Sequence, residues 1–274
     1  MSEDKKVPIE KTTKLGQNGV DKNTLQFENF ESPRDFDLAA NHGTYRKDIF
    51  ATPIYVGEDP DHSSITNKYL KKGYELFDKL ESAGTVSDGW LKGETSNSKK
   101  IKDTKGVTSF FNGNLAPDPE WAEFNEYILQ MALTMLGDTV PQKLLHGFTI
   151  ANSWLTLYPE GAYVPEHIHS CFEVSGVYYI KAQGGAKSGP ISFKDPAWVA
   201  KTMNIWGQGS RIFPGPSTAM EFSVDSGMMI LFPSWLPHST FPNESGEDRM
   251  IYSFNLITDN ARLRLVHNHG HLNR

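Results

Sequence analysis

The chain has 274 residues, 27 of them basic and 33 acidic, for a formal net charge of −6. Without a concentrated basic patch, this balance excludes the usual nucleic-acid-binding surface. The single cysteine, Cys171, excludes an intrachain disulfide and fits a reducing, cytoplasmic setting.

Apolar residues make up 38% of the chain and aromatic residues 12%, enough for a proper core. No apolar run approaches membrane-spanning length, and no apolar stretch follows the opening Met-Ser-Glu-Asp-Lys-Lys as a secretory signal would require. Residues 1–45 are polar and aperiodic and read as a flexible N-terminal arm, with Leu25, Phe27 and Phe30 available for local packing. Residues 48–56 read as an edge strand, because Pro53 would break a central ladder. A helix capped by Ser63 or Ser64 presents Ile65, Tyr69, Leu76, Phe77 and Leu80 on one face. Residues 82–106, rich in Gly, Ser, Thr and Lys, read as a loop. A second helix runs from Pro119 to Leu136 with Trp121, Phe124, Ile128, Ala132 and Met135 as its stripe and Gly137 as its cap.

From residue 146 the pattern changes to short strands punctuated by Gly, Pro and Asp. The candidates are 147–158, 162–168, 174–182, 190–194, 210–213, 219–224, 227–232, 238–242 and 250–257. Many strands without intervening helices imply an antiparallel sandwich or barrel, mainly β with flanking helices on one sheet and one end open for a site. The expected organisation is a core domain over 46–258 and a C-terminal tail over 259–274. There are no internal repeats.

The segment 158–169 ends in His167-Ile-His169, and a lone His238 follows about seventy residues later. On a strand, residues i and i+2 share a face, so both histidines would reach one ion. A third imidazole from a distant strand would complete a facial triangle, leaving three positions of an octahedral metal open.

Four ordered motifs extend this pattern: Tyr158-x-x-Gly161-x5-His167-x-His169; Ser175-Gly-Val-Tyr-Tyr-Ile180; Gly227-x5-Pro233-Ser-Trp-Leu-Pro-His238; and Arg249-Met-Ile-Tyr-Ser253-Phe-Asn255. Together they resemble the iron(II)/2-oxoglutarate-dependent oxygenases, and most closely a bacterial and phage group marked by His-x-His and Ser-Gly-Val-Tyr-Tyr. The Tyr-x-x-Gly stretch is loosely similar to the prolyl-hydroxylase branch. The resemblance covers about 48–258. It implies a double-stranded β-helix core (a jelly-roll, cupin-like) that binds Fe(II), 2-oxoglutarate and O2. The implied metal ligands and catalytic residues are His167, His169 and His238, and the implied reaction is hydroxylation of a small-molecule or peptidyl substrate coupled to decarboxylation of 2-oxoglutarate. His169 stands where the wider superfamily usually places a carboxylate, which would make the centre more cationic.

In that setting the distal carboxylate of 2-oxoglutarate needs a planar guanidinium. Arg249 occupies the matching position, with Ser253 on the same strand face, and Tyr179 and Tyr158 as phenols beside the co-substrate. The segment 195–208 is the expected substrate cover, and oligomeric state stays open, a homodimer being one option.

Two rivals use the same residues. A cupin would bind its metal through His167, His169, Glu173 and His238 without 2-oxoglutarate, although Trp235 stands where that motif has glycine. A non-enzymatic jelly roll would use Trp90, Trp198, Trp206 and Trp235 as a binding surface. Cys171 reads as a small buried residue, His267, His269 and His271 as a solvated terminus, and Asn243-Glu-Ser245 as a glycosylation pattern without secretory context.

Overall fold

A computed structural model describes residues 52–85, 106–196 apart from 138, and 219–261 apart from 260, all within one compact unit, Thr52–Arg274. The arm 1–45, most of the loop 82–106, strand 210–213, and nearly all of the cover 195–208 and of the tail 259–274 lie outside the described residues, as do Trp90, Trp198 and Trp206.

Nine strands and three helices are described, in the order β1 (Tyr55–Glu58), α1 (His62–Ser82), β2 (Val107–Thr108), α2 (Ala122–Leu136), α3 (Gln142–Leu145), β3 (Phe148–Tyr158), β4 (Val174–Lys181), β5 (Ile191–Lys194), β6 (Ala219–Phe222), β7 (Met228–Pro233), β8 (His238–Thr240) and β9 (Arg249–Thr258). Every pairing is antiparallel. The larger sheet runs β1-β7-β4-β9-β3-β2 and the smaller β6-β5-β8. This is the expected mainly-β jelly-roll.

Alternation along the large sheet assigns two jobs to its two faces. Met250, Tyr252, Phe254 and Leu256 of β9, Tyr178 and Ile180 of β4, and Met229 and Leu231 of β7 join the helices in one cluster. Ile251, Val177, Tyr179, Ile230 and Phe232 belong to a second cluster with Ile191 and Phe193 of the small sheet. Because both faces are covered, all ten residues of β9 are buried.

The helices earn their place through aromatics. Tyr69 of α1 stacks on Phe124 of α2 at 4.2 Å, and Trp121 stacks on Tyr252 at 5.7 Å. Full burial of side chains such as Phe77 and Phe124 stabilises by roughly 1.5–3 kcal/mol each. Both starts differ from expectation. α1 begins at His62 after Asp61, with no side-chain cap from Ser63 or Ser64, and α2 begins at Ala122, since the preceding residues form a turn in which Asp118 Oδ1 accepts the Glu120 N–H at 2.9 Å.

Three details of the sheet prepare the site. A bulge at Ala151 separates the pairs Ile150↔Leu256 and Asn152↔Asn255. It lets Ile150 stay on the helix side while Asn152 comes opposite Asn255 on the other face. At Gly176 of β4, a β-carbon would run into the Phe254 ring, which explains glycine in Ser-Gly-Val-Tyr-Tyr. Finally, the expected strand 162–168 is not a regular strand. Pro165 lacks an N–H, and the stretch makes only single-residue bridges at Tyr163 and His167, the latter with His238, flanked by bonds from Thr240 N to Val164 O at 3.0 Å and Asn243 N to Ala162 O at 3.1 Å.

Candidate active site

His167, His169 and His238 converge. One nitrogen from each lies within 4.8 Å of the others, the only such group of three or more potential ligands among the described residues. The backbone enforces this meeting: His167 N donates to His238 O at 2.9 Å and His238 N returns the bond to His167 O at 3.0 Å, while His169 N donates to Ser234 O at 2.9 Å. His167 is thus a bridge residue beside β8, and His169 stands on the exit from it.

Each ring is oriented through Nδ1. That atom of His167 donates to Pro165 O at 2.9 Å, and that of His238 to Leu236 O at 2.9 Å. Carbonyl acceptors demand the Nδ1–H tautomer, which leaves the lone pair on Nε2 for a metal. His169 Nδ1 lies 2.7 Å from Asn255 Oδ1 and 2.9 Å from Ser175 Oγ. Asn255 Nδ2 in turn donates to Asn152 Oδ1 at 2.8 Å, and Ser175 Oγ reaches Ser234 Oγ at 2.9 Å. Burial pushes all three imidazoles below their usual pKa: His169 to about 4 and His238 well down, where the neighbouring histidines add to the effect, while burial alone carries His167 down. Three neutral imidazoles with a nitrogen each inside 4.8 Å fit a divalent transition metal such as iron(II).

A narrow inner cavity runs from the histidines between the sheets, lined in part by Tyr158, Tyr179, Thr240, Ile251 and Ser253. Arg249 lies against this lining. It is 1% exposed, its guanidinium stacks 4.2 Å from the centre of the Tyr158 ring, and Tyr158 is its direct cross-strand partner. Nη1 donates to Ser188 O at 2.6 Å and to Gly189 O, and Nη2 approaches Thr240 Oγ1 at 3.4 Å. No carboxylate pairs with it among the described residues, and Nε has no partner at all. Gly189 makes the room, since it holds φ at +70° and a β-carbon there would strike the guanidinium. Burial raises the phenol pKa of Tyr158 to about 12 and that of Tyr179 further, against the opposing pull of Arg249. Both tyrosines are therefore neutral donors.

The cupin ligand set is overturned. The Glu173 carboxylate turns to Thr258, accepting from its N–H at 2.6 Å and its hydroxyl at 3.0 Å, and takes no part in the histidine group. Cys171 is exposed rather than buried, in a turn with φ of 74°. Of the tryptophans offered as a binding surface, Trp235 is exposed, whereas Trp154, which was not singled out, lines the site beside His169. Asn255, Ser175 and Asn152 were also missed as orienting residues. Two of them stand inside quoted motifs, but their meeting depends on the bulge at Ala151.

Residues 152–255 match the family model described as "Putative 2OG-Fe(II) oxygenase". No curated protein matches the sequence. Among solved structures, the chain is similar to a prolyl hydroxylase in complex with a hypoxia inducible factor peptide from Trichoplax adhaerens, at 14% identity and a TM-score of 0.48 over 78% of this chain and 87% of that one. It is also similar to AviO1 from Streptomyces viridochromogenes, at 13% and 0.48 over 76% and 90%. HygX from Streptomyces hygroscopicus, with nickel and 2-oxoglutarate bound, gives 12% and 0.49 over 76% and 84%.

Proposed function

We propose, from the premise that residues 152–255 are a 2OG-Fe(II) oxygenase domain, that His167, His169 and His238 hold the iron and that Arg249 receives the distal carboxylate of 2-oxoglutarate. The domain so formed extends over 46–258, and its substrate is a small molecule or a peptidyl group.

The observation that carries this reading is the buried Arg249, a charge that has no carboxylate partner among the described residues and an unsatisfied Nε. An isolated buried charge costs several kcal/mol unless an anion meets it. The spacing suits the ligand. Thr240, beside Arg249, follows His238 by two residues on β8, roughly 7 Å along the strand, about the span of a five-carbon diacid. The hydroxyls of Ser253, Tyr158 and Tyr179 line the path between and are neutral donors for an anion's oxygens.

When bound, iron(II), 2-oxoglutarate and O2 supply the oxidising chemistry, yielding succinate, CO2 and a hydroxylated product. The chain's contribution is geometric and electrostatic. Neutral imidazoles, held in one tautomer by Pro165, Leu236 and Asn255, offer lone pairs without first losing protons. The apolar lining of Val177, Ile251 and Phe232 keeps the space between the sheets dry, which strengthens the attraction of Arg249 for an anion.

The test is anaerobic addition of Fe(II) and then 2-oxoglutarate to the full chain, read as a visible charge-transfer band. Its appearance in the wild type and its loss in His238→Ala support the assignment, whereas binding of 2-oxoglutarate unchanged in Arg249→Ala removes that residue from it.

A further inference from the structure

A second cavity also borders His167 and His169. It is the larger of the two, about 310 Å3 against about 50 Å3 for the inner one, and they share Trp154, His167 and His169. The inner cavity suits a slim chain such as 2-oxoglutarate, so the outer one is where a second reactant meets the ion.

Its walls divide into an apolar part and a small polar one. Phe110, Trp154, Phe172 and Ile168 supply rings and an aliphatic side chain, with Phe110 and Trp154 in edge-to-face contact at 5.0 Å. No Asp, Glu, Lys or Arg lines it among the described residues. Besides His167 and His169, the polar groups are small and neutral: Ser170 and the Asn152–Asn255 amide pair. In that pair Asn152 Oδ1 accepts from Asn255, and the Asn152 amide N–H groups have no acceptor among the described residues.

Apart from the metal itself, no charged side chain among the described residues would meet an ion placed here, whereas a ring or branched alkyl group gains from the four apolar side chains. Resting on the iron assignment above, we propose that the outer cavity is the substrate site and selects an uncharged aromatic or branched apolar group bearing a hydrogen-bond acceptor, which the Asn152 amide receives. The target C–H bond then lies beside His167 and His169. The reaction balances within the family's chemistry: one oxygen atom of O2 enters the C–H bond as hydroxyl, the other enters succinate, and C1 of 2-oxoglutarate leaves as CO2.

Three probes that keep the ring and change only the charge test this: N-acetylphenylalaninamide, N-acetylphenylalanine and phenylalaninamide. Their binding to the full chain loaded with zinc(II) and 2-oxoglutarate is read by saturation-transfer NMR. The neutral probe is expected to bind at least ten-fold more tightly than either ion, with saturation strongest on its ring, and to lose that advantage in Phe172→Asp. Equal or tighter binding of an ionic probe, or no binding of any probe, overturns the proposal, and neither result depends on the variant folding. The iron and 2-oxoglutarate band is recorded in parallel. If the band appears and the neutral preference does not, only the substrate class falls. If the preference appears without the band, the iron assignment falls.

Discussion

Asn255 Oδ1 stands 2.7 Å from His169 Nδ1, and the amide is held in that sense by its own donation to Asn152 at 2.8 Å. A neutral amide thus orients a neutral imidazole at the position where the wider superfamily usually carries a carboxylate. Partners of this kind typically change metal affinity 10- to 100-fold. Asn255→Ala is expected to weaken iron(II) binding by about that factor, measured by competition with a metal indicator. Circular dichroism should show an intact sheet, and unchanged affinity would show that Ser175 alone holds the ring.

Arg249 allows a graded test. Arg249→Lys keeps the charge but loses the planar fork, and Arg249→Ala loses both. A hydrogen bond to a charged group contributes roughly 1.5–3 kcal/mol. The alanine variant should therefore need about 10- to 100-fold more 2-oxoglutarate, with lysine between it and the wild type, read from titrations of the charge-transfer band. The order alanine, lysine, arginine is the expectation, and lysine equal to arginine would contradict bidentate recognition.

Gly189→Ala couples stability to co-substrate binding. The backbone at φ of +70° disfavours any side chain, and the new methyl meets the guanidinium and the Phe241 carbonyl. A loss of about 1–3 kcal/mol, seen in thermal melts, should come with weaker 2-oxoglutarate binding, because Arg249 must shift.

The histidines set the acid response of the metal-free chain. His169 is depressed to about 4 in the fold, against a usual value near 6.5. Between those values the unfolded chain binds the extra proton and the folded chain does not, so stability is fully present above about pH 6.5 and falls as pH drops toward 4. His167 and His238 shift in the same direction. Melting temperature should be flat above neutrality and decline below it, and His169→Asn should reduce the slope by about one proton, roughly 1.4 kcal/mol per pH unit.

Glu173→Gln separates the oxygenase from the cupin reading. The substitution weakens the double contact with Thr258 and should cost about 1 kcal/mol of stability. Iron stoichiometry, measured by elemental analysis, should not change.

The long strands were legible because alternation and β-branched or aromatic content marked them: 147–158, 174–182 and 250–257 fall within two residues of β3, β4 and β9. The three histidines were legible as a set, although by an argument from strand geometry that Pro165 defeats. They meet through one bridge and the exit from it. What could not be read was register. That Tyr158 lies opposite Arg249, and that Asn152 lies opposite Asn255, depends on which residues pair and on one extra residue at Ala151. Local propensity carries no information about either. Cys171, read as a small buried residue, stands exposed for a related reason, since a turn after His169 carries it away from the core.

The reciprocal backbone bonds between His167 and His238 have a consequence for how the metal is acquired. In a small zinc domain the ion does the folding, and its affinity and the domain's stability are one quantity. Here two peptide groups, 71 positions apart in the chain, already clasp each other beneath the imidazoles. The backbone therefore carries part of the work that the ion does alone in such a domain.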